Sequence, residues 1–403
     1  MSTTPRLATP RLALVAVVLL AVGLVAGFFV GQGAVPTVTV TVTAPGVGVP
    51  VTVTVPVTVT VPAPVPTEVY RFRMATYYLA GDPAFEIVTT FAKLVEEMSG
   101  GRIKIEVFQA GELGFPVTEI VDATARGVVE IAIFYTSYLA AQDPVFALAG
   151  AKTGPLSDPW ELLKYVRAVE DLVNATFRKW GVVYVGPMIY GEPEIAVFRV
   201  PVARLDDVKG KIMRAAGLSA VFWSRLGAQT VMMPAGELYT ALQLGTVDGL
   251  EWTDFVANYR LGFHEVAKYV IAPTRGYNLH SEAAVHAFLI VNPDVWAKLP
   301  EDLKAIIRTA CYATYWYSAE LITKLNIEYR QKWLQAGATI IELPEEDLKR
   351  IIDVGVELHV EYAKMSPEAR EYVLRVLRVW KELGYYEWAN ALERALEAAS
   401  LLE

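Results

Sequence analysis

The sequence predicts an α/β fold with mainly parallel sheets, and two observations support this class. Short runs of β-forming residues alternate with helical patterns between about residue 67 and residue 300, and this spacing is typical of βαβ units. A helical pattern without a breaker then extends over residues 300–337. At about 1.5 Å per residue this helix would be roughly 50 Å long, which is enough to span two lobes.

Apolar runs that alternate or lie between turn residues predict the strands. The run RIKIEVF at residues 102–108, for example, alternates as a half-buried strand does and follows the stop Ser99-Gly100-Gly101. The predicted strands span residues 69–75, 102–108, 128–134, 182–189, 194–200, 211–214, 230–233, 283–291 and 338–343.

Apolar residues at helical spacing, together with cap residues, predict the helices. Asp82 and Pro83 fit a helix start, and in the longest helix Pro300 fits the first turn and Gly337 the stop. The predicted helices span residues 82–98, 116–126, 159–179, 219–226, 236–245, 300–337, 345–364, 367–383 and 386–402.

The N-terminal segment differs from the rest of the chain. Residues 12–30 form an uncharged apolar run behind Arg6 and Arg11, about as long as a hydrocarbon core is thick, and the arginines predict a cytoplasmic N-terminus. We interpret residues 1–34 as a membrane anchor, with a cleaved secretory signal as the alternative. Residues 35–67 are mostly Val, Thr and Pro and predict a linker without a fold of its own.

The composition limits the partners and the chemistry. The formal charge is −8 and no basic block is present, which argues against nucleic acid as a partner. Cys311 is the only cysteine, so an extracellular body has no internal disulfide and must rely on its core. The sequence contains no nucleophile elbow, Walker loop or HExxH motif, which disfavours a surface enzyme.

Arg214 ends a predicted strand and is followed by the small residues Ala215, Ala216 and Gly217. In open α/β sheets, ligands bind beyond the carboxyl ends of the strands. A guanidinium at that place can form two parallel hydrogen bonds with a carboxylate. A surface salt bridge is the alternative, and the residues alone leave both interpretations open.

Glu251 lies beside Trp252 in the run DGLEW, which follows a predicted helix that ends at Gly245. A carboxylate facing an acid held by Arg214 would repel that acid unless a cation lay between them. Oxygen-bound Ca²⁺ or Na⁺ could bridge the two negative groups. The alternative is that Glu251 forms an ion pair with Lys or Arg and that Trp252 belongs to the core.

Five tyrosines fall at the ends of predicted strands or in the loops that follow: Tyr77, Tyr78, Tyr135, Tyr138 and Tyr190. A tyrosine at such a place can line a pocket and donate its hydroxyl. Packing in the core is the alternative for each of them.

Four segments of the body together resemble the extracytoplasmic solute receptors of tripartite ATP-independent periplasmic (TRAP) transporters. They are GGRIKIEVFQAGELG at residues 100–114, DVKGKIMRAAG at 207–217, PAGELYTALQLGTVDGLEW at 234–252 and YRLGFHEVAKY at 259–269. The third is the most specific, because it joins a helix, a glycine stop and a DG turn in one run. The resemblance implies a two-lobed periplasmic-binding-protein-like fold (type II-like) that closes over an organic acid.

The resemblance also implies roles for particular residues. In the family, the arginine that grips the substrate carboxylate ends the strand after an LKG-type turn, which here is Arg214. The EW version of the DGxE element resembles the branch that binds 2-oxo acids or lactate together with a metal ion. In that branch Glu251 would be a metal ligand, and Trp252 would contribute its backbone and a ring wall.

The same branch has a Gln on the strand that enters lobe two, and here its register falls near Pro193. The resemblance therefore leads us to expect Glu192 at the substrate and Glu194 at the metal. An added carboxylate favours Ca²⁺ over Na⁺. No organic cofactor is implied.

On the family pattern, lobe one comprises residues 68–190 and 277–318, and lobe two comprises residues 191–276 and 319–403 with the C-terminal helices. The helix that begins at Pro300 would bridge the lobes. Closure would be a hinge motion that buries the substrate between Arg214 and the lobe-one tyrosines, which are Tyr77, Tyr135 and Tyr138.

A homodimer is also expected from the related branch, through the C-terminal helices. Trp380, Tyr385, Tyr386 and Trp388 could form the apolar face of such a dimer or belong to the chain's own core.

The leading functional hypothesis is a membrane-tethered receptor outside the cell that captures a small monocarboxylate, such as pyruvate or lactate, and delivers it to a TRAP-type permease. One alternative is a sensor ectodomain for organic acids, although too few residues precede the apolar run to form an output domain. Another is a TRAP receptor for a dicarboxylate.

Overall fold

The computed structural model describes residues 38–42, 51–55, 68–150, 154–278 and 284–402, and it places them in two compact units, Met1–Glu68 and Val69–Glu403. In the first unit, strands β1 (Val38–Val42) and β2 (Val51–Val55) pair antiparallel. The sequence analysis did not predict this ribbon. Each strand is a VTVTV run free of proline. Every residue therefore has a backbone N–H that can donate a hydrogen bond within a sheet.

The predicted membrane anchor or signal at residues 1–34 lies outside the described residues. Among the residues that are described, no helix is both long enough and apolar enough to cross a membrane.

The second unit contains two sheets connected by helices. Its strands are β3 (Tyr70–Ala75), β4 (Ile103–Phe108), β5 (Ile131–Phe134), β6 (Val183–Gly191), β7 (Ala196–Phe198), β8 (Ile212–Arg214), β9 (Gln229–Val231), β10 (Gly249–Glu251), β11 (Tyr269–Ile271), β12 (Ala284–Val291) and β13 (Thr339–Ile341). The first sheet has the order β4-β3-β5-β12-β6, and the second has the order β13-β11-β7-β10-β8-β9.

The α-helices of this unit are α1 (Pro83–Met98), α2 (Ile120–Ala125), α3 (Pro144–Gly150), α4 (Pro159–Lys179), α5 (Gly217–Arg225), α6 (Leu238–Leu244), α7 (Phe255–Arg260), α8 (Phe263–Val266), α9 (Pro293–Lys298), α10 (Glu301–Gln335), α11 (Glu345–Ala363), α12 (Pro367–Glu382) and α13 (Tyr386–Ala398). Short 3₁₀ turns lie at Val117–Glu119, Thr136–Leu139, Leu205–Val208 and Ala235–Glu237.

The prediction of mainly parallel sheets needs a correction. In each sheet, one described strand runs against both of its neighbours: β12 is antiparallel to β5 and β6, and β7 is antiparallel to β10 and β11. The other described pairs of this unit are parallel. β7 and β12 each follow a strand of the other sheet with no described helix between, whereas β13, which also follows a passage between the sheets, comes after two helices and is parallel to β11. A strand entered from the edge at which the other strands end must run in the opposite direction.

The predicted long helix is confirmed as α10, which has 35 residues and connects both sheets. At its middle, the Ser318 hydroxyl accepts a hydrogen bond of 2.8 Å from the backbone N–H of Tyr190 in the first sheet. Further along, the Asn326 side chain accepts one of 2.9 Å from the N–H of Phe255, and Trp333 Nε1 donates one of 3.0 Å to the Phe255 carbonyl. The helix therefore holds β6 at one point and the start of α7 at another.

The C-terminal helices pack against the body of the same chain. Trp380 and Trp388 are buried, with ring centroids 5.5 Å apart. Tyr385 donates a hydrogen bond of 2.8 Å to Glu161 on α4, whereas Tyr386 is 61% exposed. The two tryptophans are thus core residues, and of the four aromatic residues considered for a dimer face Tyr386 is the one on the surface. The lobe boundaries and the dimer stay predictions.

Candidate functional site

Strands of both sheets end around one small cavity of about 30 Å³. Tyr77 and Tyr78 follow β3, Tyr135 follows β5, Arg214 is the last residue of β8, and Glu251 is the last residue of β10. The cavity is lined by Tyr77, Tyr78, Tyr135, Tyr138, Glu194, Arg214, Ala216, Glu251, Trp252 and Thr253. A volume of this size favours a small ligand.

Arg214 lies in the wall of this cavity and is 2% exposed. Its Nη1 donates a hydrogen bond of 2.9 Å to the carbonyl of Glu251, and its Nε donates one of 3.2 Å to the carbonyl of Met233. The guanidinium carbon is 5.0 Å from the centroid of the Trp252 ring, a cation–π contact. The parallel pairing of Leu250 with Arg214 brings these groups together. The alternative of an exposed salt bridge is therefore excluded.

Four tyrosines form the side of the cavity that belongs to the first sheet. The Tyr77 hydroxyl donates a hydrogen bond of 2.6 Å to the Tyr78 hydroxyl. The rings of Tyr77, Tyr135 and Tyr138 have centroids between 5.8 and 5.9 Å apart. Burial raises the pKa of all four phenols. This side is therefore aromatic and uncharged.

Two carboxylates line the cavity together with Arg214. Glu251 and Glu194 are each 3% exposed, and the pairing of Glu251 with Ala196 places Glu194 beside the end of β10. The charges of both glutamates add to burial in raising the pKa of Tyr135, so both are close to that phenol. Within the described part of the chain, the buried Nε1 of Trp252 and Oγ1 of Thr253 have no hydrogen-bond partner.

A cation site in this cavity would depend on these carboxylates. Among the described residues, no group of three His, Cys, Asp or Glu side chains is placed to hold a metal ion. Ca²⁺ and Na⁺ also accept backbone carbonyls and ligand oxygens. Glu194 and Glu251 on one cavity therefore fit a cation whose remaining ligands are backbone oxygens, such as that of Trp252, and a bound acid.

The structure does not bring Glu192 into this cluster. Glu192 lines a separate and larger cavity, of about 690 Å³, together with Thr323 of α10. The Thr323 hydroxyl donates a hydrogen bond of 2.6 Å to its carboxylate, and burial raises the pKa of Glu192. Residues 192–195 lie between β6 and β7 and have no strand structure, so a register argument taken from strands does not place their side chains.

Four of the five strand-end tyrosines line the cavity and one does not. Tyr78 lines it beside Tyr77, and the same strand-end signal identified both. Tyr190 does not line it, because its buried hydroxyl donates a hydrogen bond of 2.8 Å to the Ser157 carbonyl. Ala216 and Thr253 were not proposed for the site, although each follows within two residues of a predicted site residue.

A family model and a bacterial relative match most of this chain. The model of the DctP family, described as bacterial extracellular solute-binding protein, family 7, matches residues 74–365. The monocarboxylate 2-oxoacid-binding periplasmic protein of Nostoc sp. is 26% identical over 330 residues, which cover 81% of this chain and 88% of the relative.

Two solved structures show the same fold. A TRAP periplasmic solute-binding protein from Pseudoalteromonas atlantica T6c, with bound sodium and pyruvate, has a TM-score of 0.70 at 24% identity and covers 82% of this chain and 99% of its own. One from Colwellia psychrerythraea, with bound calcium and pyruvate, has a TM-score of 0.70 at 23% identity. The match covers 82% of this chain and 100% of the solved chain.

These findings confirm the predicted fold class and the resemblance stated from the sequence. The family model alone spans more than half of the chain. The chain belongs to the DctP family of bacterial extracellular solute-binding proteins, and it is an extracytoplasmic solute receptor of the TRAP type rather than an enzyme.

Proposed function

We propose that this receptor captures a small monocarboxylate, namely a 2-oxo acid such as pyruvate, or lactate. The observation that supports this most strongly is the buried guanidinium of Arg214 in the wall of a cavity of about 30 Å³. The carboxylate of the substrate accepts hydrogen bonds from Arg214 N–H groups that the carbonyls of Glu251 and Met233 do not use. The tyrosine side packs against the remainder of the molecule.

The charges around the cavity favour a monocarboxylate over a dicarboxylate. Arg214 is the one basic side chain among the described lining residues, and the other ionisable groups besides the phenols are Glu194 and Glu251. A second carboxylate on the substrate would meet one of these glutamates and would be repelled. The name of the Nostoc relative and the pyruvate in both solved structures agree with this choice.

A bound cation completes the proposal. With both glutamates ionised, Glu194, Glu251 and Arg214 leave one net negative charge in the cavity, and a bound monocarboxylate makes it two. Buried charges without compensation are costly, and one divalent ion removes both. We therefore propose Ca²⁺, held by Glu251, Glu194 and the Trp252 backbone, with Na⁺ as the weaker candidate.

We also propose how the receptor is anchored and which partners it has. Residues 1–34 tether it to the membrane, residues 35–67 act as the linker, and the permease subunits of a TRAP transporter receive the substrate. A homodimer formed through the C-terminal helices is part of the same proposal, with Tyr386 as its exposed aromatic residue.

The substrate is tested by thermal denaturation of the natively folded body. Pyruvate or lactate should raise the melting temperature in a concentration-dependent way, while succinate at equal concentration should not. Mass spectrometry of small molecules that copurify with the protein identifies the natural acid. A shift with succinate alone would replace the monocarboxylate with a dicarboxylate.

The cation is tested separately with a chelator. EDTA should lower the affinity for pyruvate, and added CaCl₂ should restore it more effectively than NaCl does at equal ionic strength. Affinity that EDTA leaves unchanged, in a protein shown by elemental analysis to carry no calcium, would reject a Ca²⁺ site.

A further inference from the structure

Two turns meet beside the ligand cavity, one from each sheet, and a glycine lies at their contact. Gly217 begins α5 shortly after β8 and is next to Ala216, which lines the cavity. Ser137 lies in the 3₁₀ turn that follows β5 and is next to Tyr138, which also lines the cavity. Each of the two residues is therefore one position away from the cavity wall of its own side.

The two turns approach each other so closely that no side chain fits at position 217. A Cβ placed on Gly217 at ideal geometry would lie 2.8 Å from the Cβ of Ser137 and 2.9 Å from its carbonyl oxygen. Non-bonded carbon atoms are most favourably separated by about 3.5–4.0 Å, so a side chain at this position would push the turns apart. Gly217 also has a φ of 57°, which glycine adopts without steric cost.

Both turns are packed tightly against their own sides. Ser137 is buried, and a Cβ on Gly150, the last residue of α3, would lie 2.3 Å from its Oγ, so a second close neighbour limits its movement. On the other side, Trp223 of α5 is fully buried, and its ring centroid is 6.3 Å from that of Phe198 on β7. A side chain at position 217 would therefore displace one side of the cavity relative to the other.

We propose that Gly217 limits the size of the acid that the receptor accepts, because its contact with Ser137 sets the closest approach of the two cavity walls. The inference rests on the proposed capture of a monocarboxylate, and it makes Gly217 a positioning residue without a substrate contact. With the walls in this position the cavity has about 30 Å³, which favours the smallest 2-oxo acids. A methyl group at position 217 would hold the wall at Ala216 away from the wall at Tyr138, so a longer acid would lose less affinity than pyruvate does.

The test compares the affinities for pyruvate and for 2-oxobutyrate, which is one methylene group longer, in the wild type and in Gly217→Ala. Both are measured by calorimetry with Ca²⁺ present. In Gly217→Ala, the ratio of the affinity for 2-oxobutyrate to that for pyruvate should rise by about tenfold, the lower end of what one methylene group is worth in a fitted pocket. A general loss of stability would not change this ratio, because it acts on both acids alike.

Gly210→Ala is the matched control, because Gly210 has a φ of 73° and its Cβ would meet no described atom within 4 Å. This variant introduces similar backbone strain without the contact, so it should lower the melting temperature and leave the ratio of affinities unchanged. If the ratio in Gly217→Ala equals that in Gly210→Ala, the proposal is overturned.

The double variant Ser137→Gly/Gly217→Ala tests whether Ser137 is the group that the new methyl meets. Ser137→Gly removes the Cβ and keeps the carbonyl, so Gly217→Ala should shift the ratio less in this background than in the wild type. An equal shift in both backgrounds overturns the proposal. If Gly217→Ala alone does not fold, the double variant is compared with Ser137→Gly, and an unchanged ratio between these two has the same consequence.

Failure of the proposed function is recognised separately, from the wild type. If neither acid binds to it, the proposed capture of a monocarboxylate fails, and the melting temperatures without ligand still report on the contact. Gly217→Ala should then lower the melting temperature more than Gly210→Ala does, and Ser137→Gly should recover part of the difference. Equal decreases in the two glycine variants would overturn the role of Gly217 in setting the approach of the walls.

Discussion

The two sheets contribute different chemistry to the same cavity. The first sheet supplies tyrosines, such as Tyr77 and Tyr138, whose phenols are held neutral by burial. The second sheet and the segment that leads into it supply the ions Arg214, Glu251 and Glu194. Under the proposed function, the second side recognises the charge of the substrate, while the first side closes over it and excludes water. Electrostatic interactions are stronger in the environment that such closure creates.

The largest expected effect follows from removing the one cation of the charged side. Arg214→Ala should weaken pyruvate binding by about a hundredfold or more and abolish the ligand-induced rise in melting temperature, because the substrate carboxylate loses the guanidinium that donates hydrogen bonds to it. Arg214→Lys should restore little, since a point-like ammonium cannot donate to two backbone carbonyls in the planar geometry of a guanidinium.

Arg178→Ala is the matched control for the arginine variants, because Arg178 is exposed on α4. It should keep both the affinity and the thermal shift. If Arg214→Ala binds pyruvate as well as the wild type does, the charged side of the cavity is not the binding site and the proposed function fails.

The next effect concerns the carboxylates. Glu251→Gln should lower the affinity by about tenfold in the presence of Ca²⁺, because the amide is a weaker ligand for a hard cation. The variant should also respond less to EDTA than the wild type does. An undiminished response to EDTA, measured by the same calorimetric titration, would place the cation elsewhere.

A smaller effect is expected on the neutral side. Tyr138→Phe removes one hydroxyl and keeps the ring, so the affinity should fall only about two- to tenfold, the size of one hydrogen bond. The dependence on Ca²⁺ should remain that of the wild type. A change in calcium dependence, measured in parallel with Glu251→Gln, would contradict the division between a neutral and a charged side.

The parts of the fold that local patterns determine were predicted well. The long helix was predicted at residues 300–337 and is observed at Glu301–Gln335, because it has a start signal, a stop signal and no breaker between them. Arg214 was assigned to a strand end, and it is the last residue of β8. Glu251 was placed after the helix that ends at Gly245 with no strand predicted there, and it is the last residue of β10. A residue at the end of a predicted strand can be proposed for the site because ligands of open α/β sheets bind beyond the carboxyl ends of the strands.

The parts that tertiary pairing determines were not predicted. Strand β11 (Tyr269–Ile271) has three residues, which is too short for a periodic signal, and it exists because β7 and β13 pair with it. The direction of β7 and β12 depends on where the chain passes between sheets, which no local pattern records.

The smallest expected effect tests whether the two cavities are separate. Glu192 was expected at the substrate, yet it lines the larger cavity and accepts a hydrogen bond from Thr323. Glu192→Gln keeps an oxygen for that hydrogen bond, so the affinity for pyruvate should change by no more than about twofold. A tenfold loss would return Glu192 to the binding site and would show that the two cavities act together.

The same variant carries a pH signature that separates burial from binding. Burial raises the pKa of Glu192 above its ordinary value of 4.5 in the folded chain. The stability that the protonated form provides is therefore complete below pH 4.5 and is lost as the pH rises through the raised pKa. Gln does not ionise and therefore loses no such stability. The free energy of unfolding of Glu192→Gln should increase relative to that of the wild type as the pH rises from 4 to 8. Urea titrations across this range measure the difference, and a gap that narrows with rising pH would mean that the charged carboxylate is stabilised where it lies.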